Sequence, residues 1–181
     1  MLWLTEPAHV VVAAACDRLV PGSGAAGAAE YVDGLLGAFT VDPPRIWAGG
    51  PFSGRHGGED GFSGFLPLGA MEELAWRTRI EGSQGRPERE WNGPVKGLQQ
   101  RYTEGLEALG DDFADVSADD QDAHLDADPG FRQLLYTHAC EAMYADPVYG
   151  GNRHSAGWRA IAFPGDVQPR GWTDVEVTGR A

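Results

Sequence analysis

Apolar residues in this chain recur every three or four positions and nowhere hold a convincing alternation, so it has faces for helices and none for a sheet. Val11, Val12, Ala15, Cys16, Leu19 and Val20 form the first stripe. Thr5 stands where an N-cap belongs, Glu6 and Pro7 suit a first turn, and Pro21-Gly22 stops the run. A second helix is expected over 28–39, with Tyr31, Val32, Leu35, Leu36 and Phe39 on one side. Gly34 and Gly37 weaken it by about 1 kcal/mol each and suggest close packing of another segment. Further helices are expected over 68–81, over 95–109 with Leu98, Tyr102, Leu106 and Leu109 on one side, and over 117–125. The last long one runs over 129–144 with Phe131, Leu134, Leu135, His138 and Met143 mostly inward, and Asp146-Pro147 breaks it. The predicted fold class is all-α: a compact bundle of about five to six helices with long ordered Gly/Pro-rich loops. One domain is expected over 1–181, helical over 1–145 and ending in an irregular Gly/Trp-rich arm over 146–181.

Charge narrows the partners. The formal net charge is -13, which disfavours nucleic acid and anionic lipid, because both need a basic face. Eight aspartates fall between Asp111 and Asp128; they lack the spacing of a calcium-binding loop and suit a solvated, acidic, capped loop. The longest apolar run, Val10 to Cys16, is far short of the roughly 20 residues a membrane helix needs. Met1 to Glu6 carries no basic region and no twin arginine, so the chain is expected to be cytoplasmic as written, or else processed or carried out by a partner. Cys16 and Cys140 form neither a C-x-x-C nor a haem-attachment motif and suit buried, inert thiols.

Several motifs invite chemistry without completing it. Gly22-Ser23-Gly24-Ala25-Ala26-Gly27 matches G-x-G-x-x-G, but the run before it has helical spacing and no further strands follow, so a flexible Gly/Ala connection between helices is the better reading. His138 and Glu141 stand at i, i+3 on one helix, in the reverse order of the di-iron Glu-x-x-His pair and without a second copy. No G-x-S-x-G elbow is present. No catalytic, cofactor-binding or metal-binding residue is therefore assigned. The alternatives kept open are an independent helical enzyme using His138, Glu141 and the acidic cluster on a metal, and a binding module unrelated to any redox protein.

Two segments are unusual. Over 45–67, Trp47, Phe52, Phe62 and Phe65 stand among glycines, a composition that has to pack on its own core or on another protein. Beyond the last long helix, Tyr149, Gly150, Gly151, Asn152 and Arg153 lead to Trp158 and Arg159. Glycine and asparagine there can take positive φ, and the aromatics and arginines are what interface hot spots favour. An ordered wrap over the bundle and a docking arm are both open to this segment, and the two roles can coexist. Trp47, Phe52, Phe62, Tyr149, Gly150, Gly151, Asn152, Arg153, Trp158 and Arg159 are the expected partner interface.

The string Asp146-Pro147-Val148-Tyr149-Gly150-Gly151-Asn152, followed by Gly157-Trp158 and Pro164-Gly165, closely resembles the signature of the gluconate 2-dehydrogenase subunit 3 family. Leu4-Thr5-Glu6 opening a helix and Leu19-Val20-Pro21-Gly22 closing it are similar to that family's first helix and turn. The resemblance implies a small, cofactor-free subunit that assists the folding, stability or export of a large FAD-dependent GMC-type dehydrogenase oxidising sugars or related alcohols. FAD is then expected in the partner. In many such systems a cytochrome c subunit accepts the electrons. The family's twin-arginine signal is not seen here.

Overall fold

The computed structural model describes residues 1–47 and 65–163. Seven α-helices follow one another: α1 (Glu6–Leu19), α2 (Ala28–Leu36), α3 (Ala70–Glu81), α4 (Leu98–Leu109), α5 (Ala118–Ala127), α6 (Pro129–Tyr144) and the short α7 (Ala156–Ala160). Among the described residues there is no strand, and the chain is all-α as its periodicity predicts. Six helices match the expected ones; α7 was not expected, because its five residues carry too little periodicity to be seen.

Start and stop chemistry sets most of the boundaries. Thr5 accepts the Ala8 N–H at the head of α1, Ser117 that of Asp120 at α5, and Asp128 that of Phe131 at α6, each satisfying an otherwise orphaned amide. α2 ends three residues before Phe39, and a 3-10 turn over Ala38–Thr40 takes its place. Gly37 explains the break: a Cβ there would come within 2.4 Å of the Leu2 Cβ, so the chain turns under its own N-terminus. That is the close packing its glycine suggested. α4 begins at Leu98 and not at Val95, because Val95 is held in a bridge to Ser83: Ser83 N–H donates to the Val95 carbonyl at 3.0 Å and Val95 N–H to Ser83 Oγ at 3.1 Å.

Helices α1, α2 and α6 pack on one another at the centre, α5 braces α1 and α6, and α3 and α4 form a neighbouring pair. Small residues make the central approach close: Ala15, Ala29, Ala139 and Ala142 are fully buried beside Val12, Val32 and Leu135. Tyr102 of α4 and Phe113 complete this core. The eight aspartates of 111–128 are exposed, four of them on α5 and the other four in the turns around it, and Asp122 pairs with Arg18 of α1. Cys16 is buried and its thiol is pushed up to about 12 by desolvation and then by Asp17. Cys140 is only half-buried and free, so the expectation of two buried thiols holds for Cys16 alone.

One buried acid fastens the N-terminus. Asp33 accepts the N–H groups of Leu2, Trp3 and Leu4 at 2.6, 2.8 and 2.7 Å. Desolvation raises its pKa, but the three backbone donors, helped by the N-terminal charge, outweigh that and hold it below the usual carboxylate value. Asp33→Ala is expected to cost about 2 kcal/mol, read as a lowered urea midpoint, because three amides lose a charged acceptor. The sign of the pH effect follows. The Asp33 contribution is complete above its unfolded-state pKa and is lost as pH falls through the lower folded value, a loss absent from Asp33→Ala.

Candidate functional site

The end of α6 is where the unusual segment comes to rest. A helix leaves its last carbonyls without internal partners, and here the following residues satisfy them. Asn152 N–H donates to the Ala142 carbonyl at 2.6 Å, Asn152 Nδ2 to the Ala145 carbonyl at 2.9 Å, and Trp158 Nε1 to the Tyr144 carbonyl at 2.7 Å. Asn152 Oδ1 accepts the Gly157 N–H at 2.8 Å and so ties the turn to α7. Asn152 itself stands at φ 48, in the left-handed region that asparagine tolerates better than most residues. Both neighbouring glycines are there for space: a Cβ on Gly151 would lie 2.4 Å from the Ala142 oxygen, and one on Gly157 only 1.8 Å from the Met143 oxygen.

The same turn reaches the start of α2. Arg153 N–H donates to the Ala26 carbonyl at 2.9 Å, and a Cβ on Gly27 would come within 2.9 Å of the Gly150 oxygen. The Gly22–Gly27 segment is therefore a close-packed connection between α1 and α2 and not a flexible one. Its amides are used internally: those of Gly22 and Gly24 donate to Asp17 Oδ1 and that of Gly27 to the Gly24 carbonyl. Preceded by a helix and with its donors engaged, it does not fit a dinucleotide pyrophosphate.

Beside this clasp lies a groove of about 520 Å³, within the range of ligand and peptide clefts. Val148, Tyr149 and Gly150 form one side, and α2 contributes Glu30, Tyr31, Gly34 and Leu35. Phe65, Trp76 and Ile46 supply further apolar surface, and Glu141 and Ala145 of α6 line it as well. The Phe65 and Tyr149 rings meet edge to face at 6.1 Å. Tyr31 O–H donates to Glu141 Oε2 at 2.8 Å across 110 residues of sequence. Burial, the Glu141 charge and that hydrogen bond push the Tyr31 phenol well above its ordinary value, so it stays protonated and donating.

His138 lies deeper. It is 1 % exposed, hydrogen-bonded through Nδ1 to the Tyr102 hydroxyl at 2.8 Å and stacked parallel to that ring. Desolvation lowers its pKa to about 4, against the opposing pull of Glu141 and with a smaller contribution from Arg79 and Arg101. The metal alternative for His138 and Glu141 finds no support in their surroundings: one ring nitrogen is engaged by Tyr102, one carboxylate oxygen by Tyr31, and no group of three or more His, Cys, Asp or Glu among the described residues could hold a metal ion.

The expected interface residues divide accordingly. Gly151, Asn152 and Trp158 are buried against this chain's own helices. Tyr149 and Gly150 line the groove. Arg153 is exposed and pairs with Glu30, Arg159 is exposed, and Trp47 is about half exposed, its carbonyl accepting the Leu66 N–H. Phe52 and Phe62 lie outside the described residues. Sequence reasoning missed the Tyr31–Glu141 pair and the Asp33 staple. An acid set beside the apolar residues Val32 and Leu36 is the signal that could have found Asp33.

The described residues thus define a helical protein whose glycine-rich turn fixes the end of its longest helix and borders an aromatic groove; none of its helices is long and apolar enough to cross a membrane. Residues 7–165 match the family model described as Gluconate 2-dehydrogenase subunit 3, and the chain belongs to that family. The family name is that of a subunit of a dehydrogenase. No curated protein and no solved structure matches the chain.

Proposed function

We propose that this chain is the non-catalytic small subunit of a heteromeric FAD-dependent GMC-type dehydrogenase acting on sugars or related alcohols, and that it stabilises the fold of the flavoprotein carrying the FAD and the reacting groups. Family membership over 7–165 is the observation that carries this reading. The geometry supports it in a second way. Three of the buried polar side chains among the described residues are committed to holding the fold: Asp33 to three amides, His138 to Tyr102, Asn152 to the end of α6. Large apolar side chains also stand outward, including Trp91 at 92 % exposure and Met71 at 76 %. Exposed aromatics of this kind are the anchors that protein interfaces use.

The mechanism is linkage. A subunit that binds only the folded flavoprotein withdraws it from the unfolded pool, and a permanent contact of about 2,000 Å² or more is the size such complexes need. Co-expression tests it. The flavoprotein is expected soluble and flavin-loaded with this chain, and depleted or aggregated without it. A large subunit that is equally soluble, loaded and active alone contradicts the proposal.

A further inference from the structure

We infer that the groove beside the Tyr149-Gly150 turn takes a basic side chain, arginine or lysine, presented by the catalytic subunit; this rests on the accessory-subunit reading and names a contact within it. Glu141 is half-buried in the groove lining. Its Oε2 accepts the Tyr31 hydroxyl at 2.8 Å, while Oε1 has neither a donor nor a cation among the described residues. The other two carboxylates there are occupied: Asp33 by three backbone amides, Glu30 by Arg153 with His9 at 3.7 Å. Among the described residues, the nearby cations leave Glu141 unpaired. Arg79 lies over the Trp76 ring, 5.1 Å from its centroid, and Arg45 is exposed and in no ion pair among the described residues.

A carboxylate oxygen without a donor among the described residues, in a groove that Tyr31 and Trp76 also line, attracts a cation twice. It offers a charge-assisted hydrogen bond, and the ring faces offer their negative quadrupole. Arginine satisfies both with one planar group. A neutral apolar segment would desolvate Oε1 without replacing its water. The net charge of -13 also makes a basic face the complementary one.

The test uses the co-expressed complex of the full chain with its flavoprotein. Glu141→Gln keeps the side-chain shape and an acceptor for Tyr31. It is expected to raise the dissociation constant about tenfold or more and to flatten its salt dependence, with the Tm of the isolated chain unchanged. A photo-cross-linking residue in place of Val148, with Glu141 intact, is expected to label one peptide of the catalytic subunit that contains arginine or lysine. Wild-type affinity in Glu141→Gln overturns the inference and leaves the accessory-subunit reading standing. So do labelled peptides without a basic residue, or a small amine found by native mass spectrometry on the isolated chain and absent from the variant. Failure of the wild-type chain to form any complex overturns both.

Discussion

Gly157→Ala is expected to lower the unfolding free energy by about 3 kcal/mol or more, a large share of the ~5–15 kcal/mol typical of a domain, and to lower the urea midpoint clearly. The added methyl would stand 1.8 Å from the Met143 carbonyl oxygen and 2.8 Å from its carbon. Flexible side chains can yield to such an intrusion, but these atoms are helix backbone. Nor can α6 withdraw freely, since Ala142, Tyr144 and Ala145 have their carbonyls held by Asn152 and Trp158. α7 would have to lift away, breaking the Gly157 N–H bond to Asn152 Oδ1. Gly130→Ala is the control. It sits in the first turn of the same α6, where the nearest atom is the Asp128 side-chain oxygen at 3.3 Å, and it should leave the urea midpoint nearly unchanged. Equal midpoints for the two variants would refute the clasp.

The second large effect is on pH. His138 is held neutral in the fold with its pKa near 4, against a free value of 6.5. The unfolded chain therefore takes up a proton first as pH falls. The His138 contribution is fully present above about pH 6.5, declines below it, and is gone at about pH 4, a total of about 3 kcal/mol at 1.36 kcal/mol per pKa unit. His138→Gln, which keeps a hydrogen-bonding group near Tyr102, should be nearly flat over that window. Asp33 acts only below it, because its folded pKa lies under the ordinary 3.8, so the two groups separate in a pH series of denaturation curves. A wild-type curve as flat as that of His138→Gln would show that the ring is not buried neutral.

Much of this fold was legible because its helix boundaries are written in side chains. Thr5, Ser117 and Asp128 announce three starts, and Pro129 through Tyr144 was read to the residue. The errors came where backbone partners decided the outcome. Val95 has a helix-like place in the pattern yet pairs with Ser83, and Phe39 lies past a glycine that must pass beneath Leu2. The glycine-asparagine turn was conspicuous as a string, but its role was not. Its acceptors are the carbonyls of Ala142, Tyr144 and Ala145, which carry no residue-type signal. That is why Gly151, Asn152 and Trp158, expected at an interface, stand inside. Tyr149 and Gly150, next to them in the chain, line the groove instead. Tyr31 and Glu141 meet across 110 residues, and only the packing of α2 on α6 joins them.

The inward residues also hold the groove wall in place. With Asn152 bonded to the end of α6, the Val148-Tyr149-Gly150 wall packs against α2, so the groove is built by this chain itself. Preorganisation of that kind lowers the cost of association.

Native mass spectrometry of the tagged chain, purified at low salt from cells that also make its flavoprotein, tests the central claim most directly. The account predicts one assembly whose mass is the sum of this chain and a larger polypeptide carrying one FAD. A chain recovered only alone or as copies of itself, while the flavoprotein elutes elsewhere fully loaded, would contradict it.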